Sequence, residues 1–167
     1  EKAPEGKATR VTAPGAGEDA AAAGGLSFTA ADGRIVVKEA QWQAAVEPTG
    51  ALHLSLTGGE TRPLFASLGP GPVTVRVNGR ETELKGAAGE SARVGEEGRS
   101  IVATRVFAGE GARAAVEVRY RFAPGEPAFT AEATLRNAGS EPLDVALFGL
   151  GTVPHRAVDR VSIASVK

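Results

Sequence analysis

The side chains that could do acid-base or metal chemistry are few and widely separated in this chain of 167 residues. The two histidines are His53 and His155, and a metal site would need both of them together with a carboxylate such as Asp159. Their separation matches no metal-binding motif. Cysteine is absent, which excludes a thiolate metal site and a disulfide framework. The sequence therefore predicts no metal ion and no cofactor.

Carboxylates for glycoside hydrolysis would have to meet in a cleft where one of them keeps a raised pKa. The glutamates on predicted strands instead occupy outward positions of alternating patterns: Glu81, Glu83, Glu117 and Glu132. We expect cross-strand ion pairs with Arg76, Arg119 or Arg121. Glu96 and Glu97 lie in a polar interval and are interpreted as a solvated loop pair. With no Gly-x-Ser-x-Gly elbow either, the sequence predicts no catalytic residue.

Trp42 is the candidate ligand-binding residue. The chain contains one Trp, one Tyr and six Phe, and sugar-binding sites commonly place an exposed aromatic ring against a sugar ring. Tyr120 and most phenylalanines fall on apolar faces of predicted strands, which leaves Trp42 as the plausible platform. A lone Trp in a β-sandwich also suits the core, and that alternative stays open.

Two alternating segments predict the strands around which the rest of the chain is arranged. In residues 113–122 and 129–135, apolar side chains alternate with charged or polar ones, so each strand has one apolar and one polar face. Asn78-Gly79 between residues 73–77 and 80–84 predicts a hairpin with a type I′ turn. Further strands are predicted at 26–29, 34–38, 42–46, 52–56, 101–107, 143–148 and 158–166, while an edge strand at 64–68 and a short strand at 92–94 are left open.

This pattern predicts an all-β fold of about ten or eleven strands. Short strands separated by frequent turn signals are typical of an antiparallel β-sandwich, and a closed barrel is the alternative. Residues 101–107 are apolar on both sides, which favours an inner strand of a sheet. Helical spacing can be found only at 38–46, which is too short and too close to strands to be interpreted as a helix.

Composition divides the chain into two parts. Residues 1–25 are rich in Ala, Gly and Pro and predict a flexible arm or linker, while residues 26–167 form one predicted domain. The 19 basic and 20 acidic residues give a net charge of −1 and are dispersed, which argues against nucleic-acid binding. There is no apolar run long enough for a membrane span. An acidic, Ala-rich start suggests an exported chain, extracellular or periplasmic, trimmed of its signal.

The segments 116–122, 129–139 and 141–145 resemble a known family. An apolar-x-apolar-x-Tyr strand leads into a second strand ending in Asn137-Ala138-Gly139, and a Pro142-Leu143 turn follows. This arrangement resembles the β-supersandwich, galactose-mutarotase-like domains that adjoin catalytic domains of polysaccharide lyases and glycoside hydrolases. The resemblance implies a supersandwich-like module, and it carries over no catalytic residue.

Two functions follow as hypotheses. The first is a non-catalytic β-sandwich module of an exported carbohydrate-active protein that supports or binds polysaccharide. The second is a structural or adhesive module whose sheet edges pair with neighbouring protein subunits. An independent lyase or hydrolase would need a convergent carboxylate or histidine cluster, which the sequence does not predict.

Overall fold

The computed structural model describes residues 25–57, 62–63, 67–95, 98–125 and 128–151. The described residues contain eleven strands and no helix, so none of them belongs to a helix that could cross a membrane. The strands are β1 (Ser27–Ala31), β2 (Arg34–Lys38), β3 (Trp42–Val46), β4 (Leu52–Leu56), β5 (Arg62–Pro63), β6 (Val73–Val77), β7 (Arg80–Val94), β8 (Ser100–Gly109), β9 (Ala112–Phe122), β10 (Phe129–Asn137) and β11 (Val145–Phe148).

The strands form two antiparallel sheets that pack face to face. The smaller sheet has the order β1-β2-β3-β4-β5, and the larger has the order β10-β9-β8-β7-β6-β11. Most neighbours in space are also neighbours in sequence, as hairpin connections require. The all-β sandwich and its strand count are thus confirmed, and β8 occupies the inner position that its apolar residues on both faces predicted.

The hairpin predicted at Asn78-Gly79 is present, and a second hairpin has the same turn chemistry. Asn78 and Gly79 both have positive φ, 51° and 78°, and join β6 to β7. Asp32 and Gly33 do the same between β1 and β2. Because a type I′ turn needs positive φ at both central residues, an amide or carboxylate side chain followed by glycine is the pair that adopts it most readily.

The core lies between the inner faces of the two sheets. The even-numbered residues of the alternating pattern in β9 point into the core, and each of them is at most 5% exposed. Opposite them lie the apolar residues of β1 to β4. The largest fully buried side chains are Trp42, Tyr120, Leu26, Leu52, Leu84 and Ile101. Burial of these surfaces is the main favourable term for the fold.

Strand β7 differs from the sequence prediction. We expected a hairpin arm ending at Leu84 and a separate short strand at 92–94, whereas β7 runs unbroken from Arg80 to Val94. Its register with β8 shifts between Ala87 and Ser91, and Gly89 has φ 115° there. This bulge interrupts the alternation that sequence patterns depend on. Glycine and polar residues in the segment therefore looked like a loop.

Residues 38–46 contain the last residue of β2 and the whole of β3 rather than a helix, as the sequence favours. Several predictions fall outside the described residues: the arm at 1–24, most of the edge strand at 64–68, the Glu96-Glu97 pair and the last strand at 158–166.

Candidate functional site

Trp42 lies in the core and not on a ligand-binding surface. Its side chain is 1% exposed, and its ring stacks on that of Phe122 with centroids 5.9 Å apart and planes 25° from parallel. The indole Nε1 is buried and has no hydrogen-bond partner among the described residues. Because a sugar platform needs an exposed ring face, this burial corrects the ligand-binding hypothesis for Trp42, and the core alternative describes its position.

The histidines do not form a site that the structure describes. His53 lies on β4 opposite Ala45 of β3, on the outer side of the smaller sheet, and is half-buried. His155 and Asp159 are outside the described residues. Within the described ranges, no group of three His, Cys, Asp or Glu side chains is close enough to hold a metal ion.

The predicted cross-strand ion pairs are present for two of the four strand glutamates. Arg76 Nη2 lies 3.3 Å from Glu81 Oε1, and Arg121 Nη1 lies 3.5 Å from Glu132 Oε2. All four of these side chains are about half exposed or more, so each pair stabilises the fold by about 0–1 kcal/mol. They are surface interactions and not an acid-base pair.

A concentration of arginines on the outer side of the larger sheet is the site that sequence reasoning missed. Strand register places Arg93 of β7, Val102 of β8, Arg119 of β9 and Glu132 of β10 in one row across four strands. Neighbours in such a row are about 4.8 Å apart. We define the basic face as the outward surface formed by Arg93, Arg119, Arg121, Arg136, Glu117 and Glu132.

The basic face has an excess of positive charge in a chain whose net charge is −1. It contains four arginines and two glutamates, and the one ion pair formed there among the described residues joins Arg121 to Glu132. Arg93, Arg119 and Arg136 form no ion pair with any described residue. Their guanidinium groups can therefore bind an external anion without first giving up an ion pair to a described side chain.

The surface around these arginines is shallow and polar. A depression of about 280 Å³ is lined by Glu117, Arg119, Arg121, Glu132, Thr134 and Arg136. Beside it, Val102 points outward yet is only 3% exposed. Arg93 and Arg119 flank Val102 in the register, and their aliphatic stems are the groups placed to cover it. Such packing would limit the freedom of both stems before any ligand binds.

Alternation alone predicted that Arg119 and Arg121 point outward, but it could not place Arg93 beside them. Arg93 belongs to the short strand predicted at 92–94, whose partner and register the sequence does not give, and its row is created by the register of three strand pairs. The signal that could have found it is the density of outward arginines on successive predicted strands.

Another ion pair lies at the bulge in β7. Arg105 Nε lies 3.0 Å from Glu90 Oε1, with both side chains under 30% exposed, but the two atoms are not aligned for a hydrogen bond. The guanidinium lies 5.1 Å from the centre of the Phe107 ring. A Cβ on Gly86 would come within 3.1 Å of Arg105 Cζ. Because Arg105 is packed in this way, we interpret it as a structural residue.

Tyr120 ties the two sheets together. Its hydroxyl donates to the Gly50 carbonyl at 2.8 Å, and the Leu68 carbonyl is a second acceptor at 3.2 Å. Gly50 lies in the β3–β4 connection of the smaller sheet, and Leu68 is bridged to Leu52 of β4 in the same sheet, whereas Tyr120 lies on β9 of the larger one. Burial raises the pKa of the Tyr120 hydroxyl well above its usual range. Tyr120 thus holds the layers together and is not a surface acid.

Comparison with known proteins does not identify this chain: no protein-family model, no curated protein and no solved structure matches it. The resemblance to galactose-mutarotase-like domains stays a hypothesis from the sequence.

Proposed function

We propose that this chain is a non-catalytic β-sandwich module of an exported carbohydrate-active protein, and that it binds acidic polysaccharide on its basic face. The observation that supports the proposal most directly is the cluster of three arginines, Arg93, Arg119 and Arg136, that have no ion-pair partner among the described residues. Arg93 and Arg119 lie in one row, whereas Arg136 lies two outward positions further along β10, opposite Ala115. Together they mark a broad surface on the four adjacent strands β7 to β10.

Arginine is the side chain best suited to the carboxylate of a uronic acid. Its planar guanidinium presents two parallel N–H groups that match both oxygens of a carboxylate, and such paired bonds are stronger than neutral ones. Arg119 and Arg121 are two residues apart on β9, so they point to the same face. Thr134 supplies a hydroxyl for the sugar alcohols beside them.

The shape of the basic face fits a linear chain better than a reacting sugar. Glu117 and Glu132 are on the open side of a sheet among arginines, where water is not excluded. Acid catalysis of glycoside cleavage needs a protonated carboxyl in a cleft. Binding without bond breaking is what these groups can perform.

The test is calorimetric titration of the full chain with polygalacturonate, and with a neutral galactan as the uncharged comparison. We expect a measurable heat of binding with polygalacturonate. The affinity should fall as the salt concentration is raised, because salt screens interactions between exposed charges. The double substitution Arg119→Gln with Arg121→Gln should reduce affinity by about tenfold or more.

Arg80→Gln is the matched control, since Arg80 is exposed in the β6–β7 hairpin and lies outside the basic face. This variant should bind like the parent chain. Absence of polygalacturonate binding, equal binding of the neutral galactan, or full binding by the double variant would each contradict the proposal.

A further inference from the structure

Among the described residues, the outermost strands of the two sheets differ in how well they are protected against pairing with another strand. Edge strands are usually protected by short length, Pro, Lys or a bulge. Strand β5 has two residues including Pro63, and β11 has four residues with a register shift. Strand β10 has nine residues without Pro or Lys, and its pairing with β9 is regular throughout.

Hydrogen bonding shows which backbone groups of β10 point away from the sheet. Ala138 N donates to Arg113 O at 2.9 Å, which continues the register that pairs Asn137 with Ala114. In an antiparallel ladder such bonded residues alternate along the strand. The even-numbered residues of β10 therefore bond to β9, and the N–H and C=O groups of Ala131, Ala133 and Leu135 face outward.

The order of charges along β10 is complementary to itself in an antiparallel arrangement. Glu132 and Arg136 are both exposed, point to the outer face and are equally distant from Thr134. A two-fold axis at Thr134 sets Glu132 of each copy opposite Arg136 of the other. A two-fold axis at Glu132 would instead oppose two like charges, which destabilises a strand pair.

This register also satisfies the backbone and the apolar side. It brings Ala133 opposite Leu135 of the second copy, so that residues with outward N–H and C=O groups meet as a bonded pair. The inner-face residues Phe129, Ala131, Ala133 and Leu135 are only partly buried in one chain. Apposition of a second β10 would cover this apolar edge further.

We propose that β10 is a dimerisation edge, which pairs antiparallel with β10 of a second copy of this chain about a two-fold axis at Thr134. Strand pairs of this kind are isologous, so each contact occurs twice. The axis is perpendicular to the larger sheet. Pairing of the two β10 strands therefore joins two six-stranded sheets into one sheet of twelve strands. This inference goes beyond polysaccharide binding and does not depend on it.

The test is sedimentation equilibrium of the full chain without polysaccharide, combined with charge-reversal variants. We expect a dimer for the parent chain. Glu132→Arg places two arginines opposite each other, and Arg136→Glu places two glutamates opposite each other. Each single variant turns two attractive pairs into two repulsive ones, so the dimer should weaken by about tenfold to a hundredfold.

Mixing the two single variants provides the decisive result. In the mixture, the chain with Glu132→Arg carries two arginines that face the two glutamates of the chain with Arg136→Glu, so a heterodimer should form. The double variant with both substitutions should dimerise by itself. Glu83→Arg, an exposed charge reversal on β7, is the matched control and should leave the dimer unchanged.

Three results in sedimentation would overturn the proposal. They are a parent chain that stays monomeric up to millimolar concentration, a dimer that tolerates both single variants, and a mixture that stays monomeric. Hydrogen exchange of a monomeric sample provides a further test. If the Ala133 and Leu135 amides are protected in the monomer, another part of the same chain covers β10, and the proposal is overturned.

Discussion

The two faces of the larger sheet are built from the same strands but are subject to different physical constraints. On β9 the inward residues are nearly fully buried, while the outward ones include Glu117, Arg119 and Arg121. Loss of an inward side chain removes packing that the fold depends on. Loss of an outward one removes interactions worth little to the fold. We therefore expect stability to depend on the inner face and binding on the outer face.

The largest effect on stability is expected from Trp42→Ala. This substitution removes a 1%-exposed ring and its stacking on Phe122, and large-to-small changes of this kind cost about 3–5 kcal/mol. Urea unfolding followed by far-UV circular dichroism measures the loss. A change below about 1 kcal/mol would mean that the Trp42 ring is not packed in the core.

The second largest effect on stability is expected from Tyr120→Phe. The ring remains, but the buried Gly50 carbonyl loses its 2.8 Å donor and the Leu68 carbonyl loses its 3.2 Å neighbour. An unsatisfied buried polar group costs about 1–3 kcal/mol. The same unfolding measurement should show this loss without a change in strand content.

Alkaline pH should destabilise the parent chain through the same hydroxyl. The folded state raises the pKa of Tyr120 above the value of 10.0 that an unfolded chain shows. The protonated hydroxyl therefore contributes fully to the free energy of unfolding below pH 10. This contribution is lost as the pH rises above 10, by up to ~1.4 kcal/mol per pH unit. Unfolding free energies at pH 9 and pH 11 test this. If Tyr120→Phe shows the same alkaline loss, Tyr120 is not its source.

Arg119→Gln should have the smallest effect on stability and a clear effect on binding. Arg119 forms no ion pair with a described residue, so the unfolding free energy should change by less than about 0.5 kcal/mol. The affinity for polygalacturonate should fall severalfold in titrations at low salt. A large stability loss with unchanged binding would reverse the contrast between the two faces.

Local patterns predicted much of the fold because the physics that determines these elements is itself local. Asn78-Gly79 determines its own turn, and the alternation in β9 and β10 determines which side of each strand is buried. The sequence predicts two strands in place of β7 because Gly89 lies in a bulge and Gly86 makes room for the side chain of Arg105, which is distant in sequence. Glycines at such a bulge and glycines in a loop look alike.

The site was harder to predict than the fold because it depends on register. Trp42 carries no signal of its own that separates a core ring from a surface ring, and only the position of Phe122 against it decides the matter. The row formed by Arg93, Arg119 and Glu132 exists only when β7 and β9 pair with β8, and β10 pairs with β9, in one particular alignment. No single segment contains that information.

The contact between the Tyr120 hydroxyl and the smaller sheet has a consequence for the alignment of the two layers. The hydrophobic effect has little directional preference, so by itself it only weakly restricts a shift of one apolar sheet face relative to the other. A hydroxyl that must reach the carbonyls of Gly50 and Leu68 allows no such slippage. One oxygen atom thereby selects a single stacking arrangement, and its removal should leave both sheets intact but their mutual position less sharply defined.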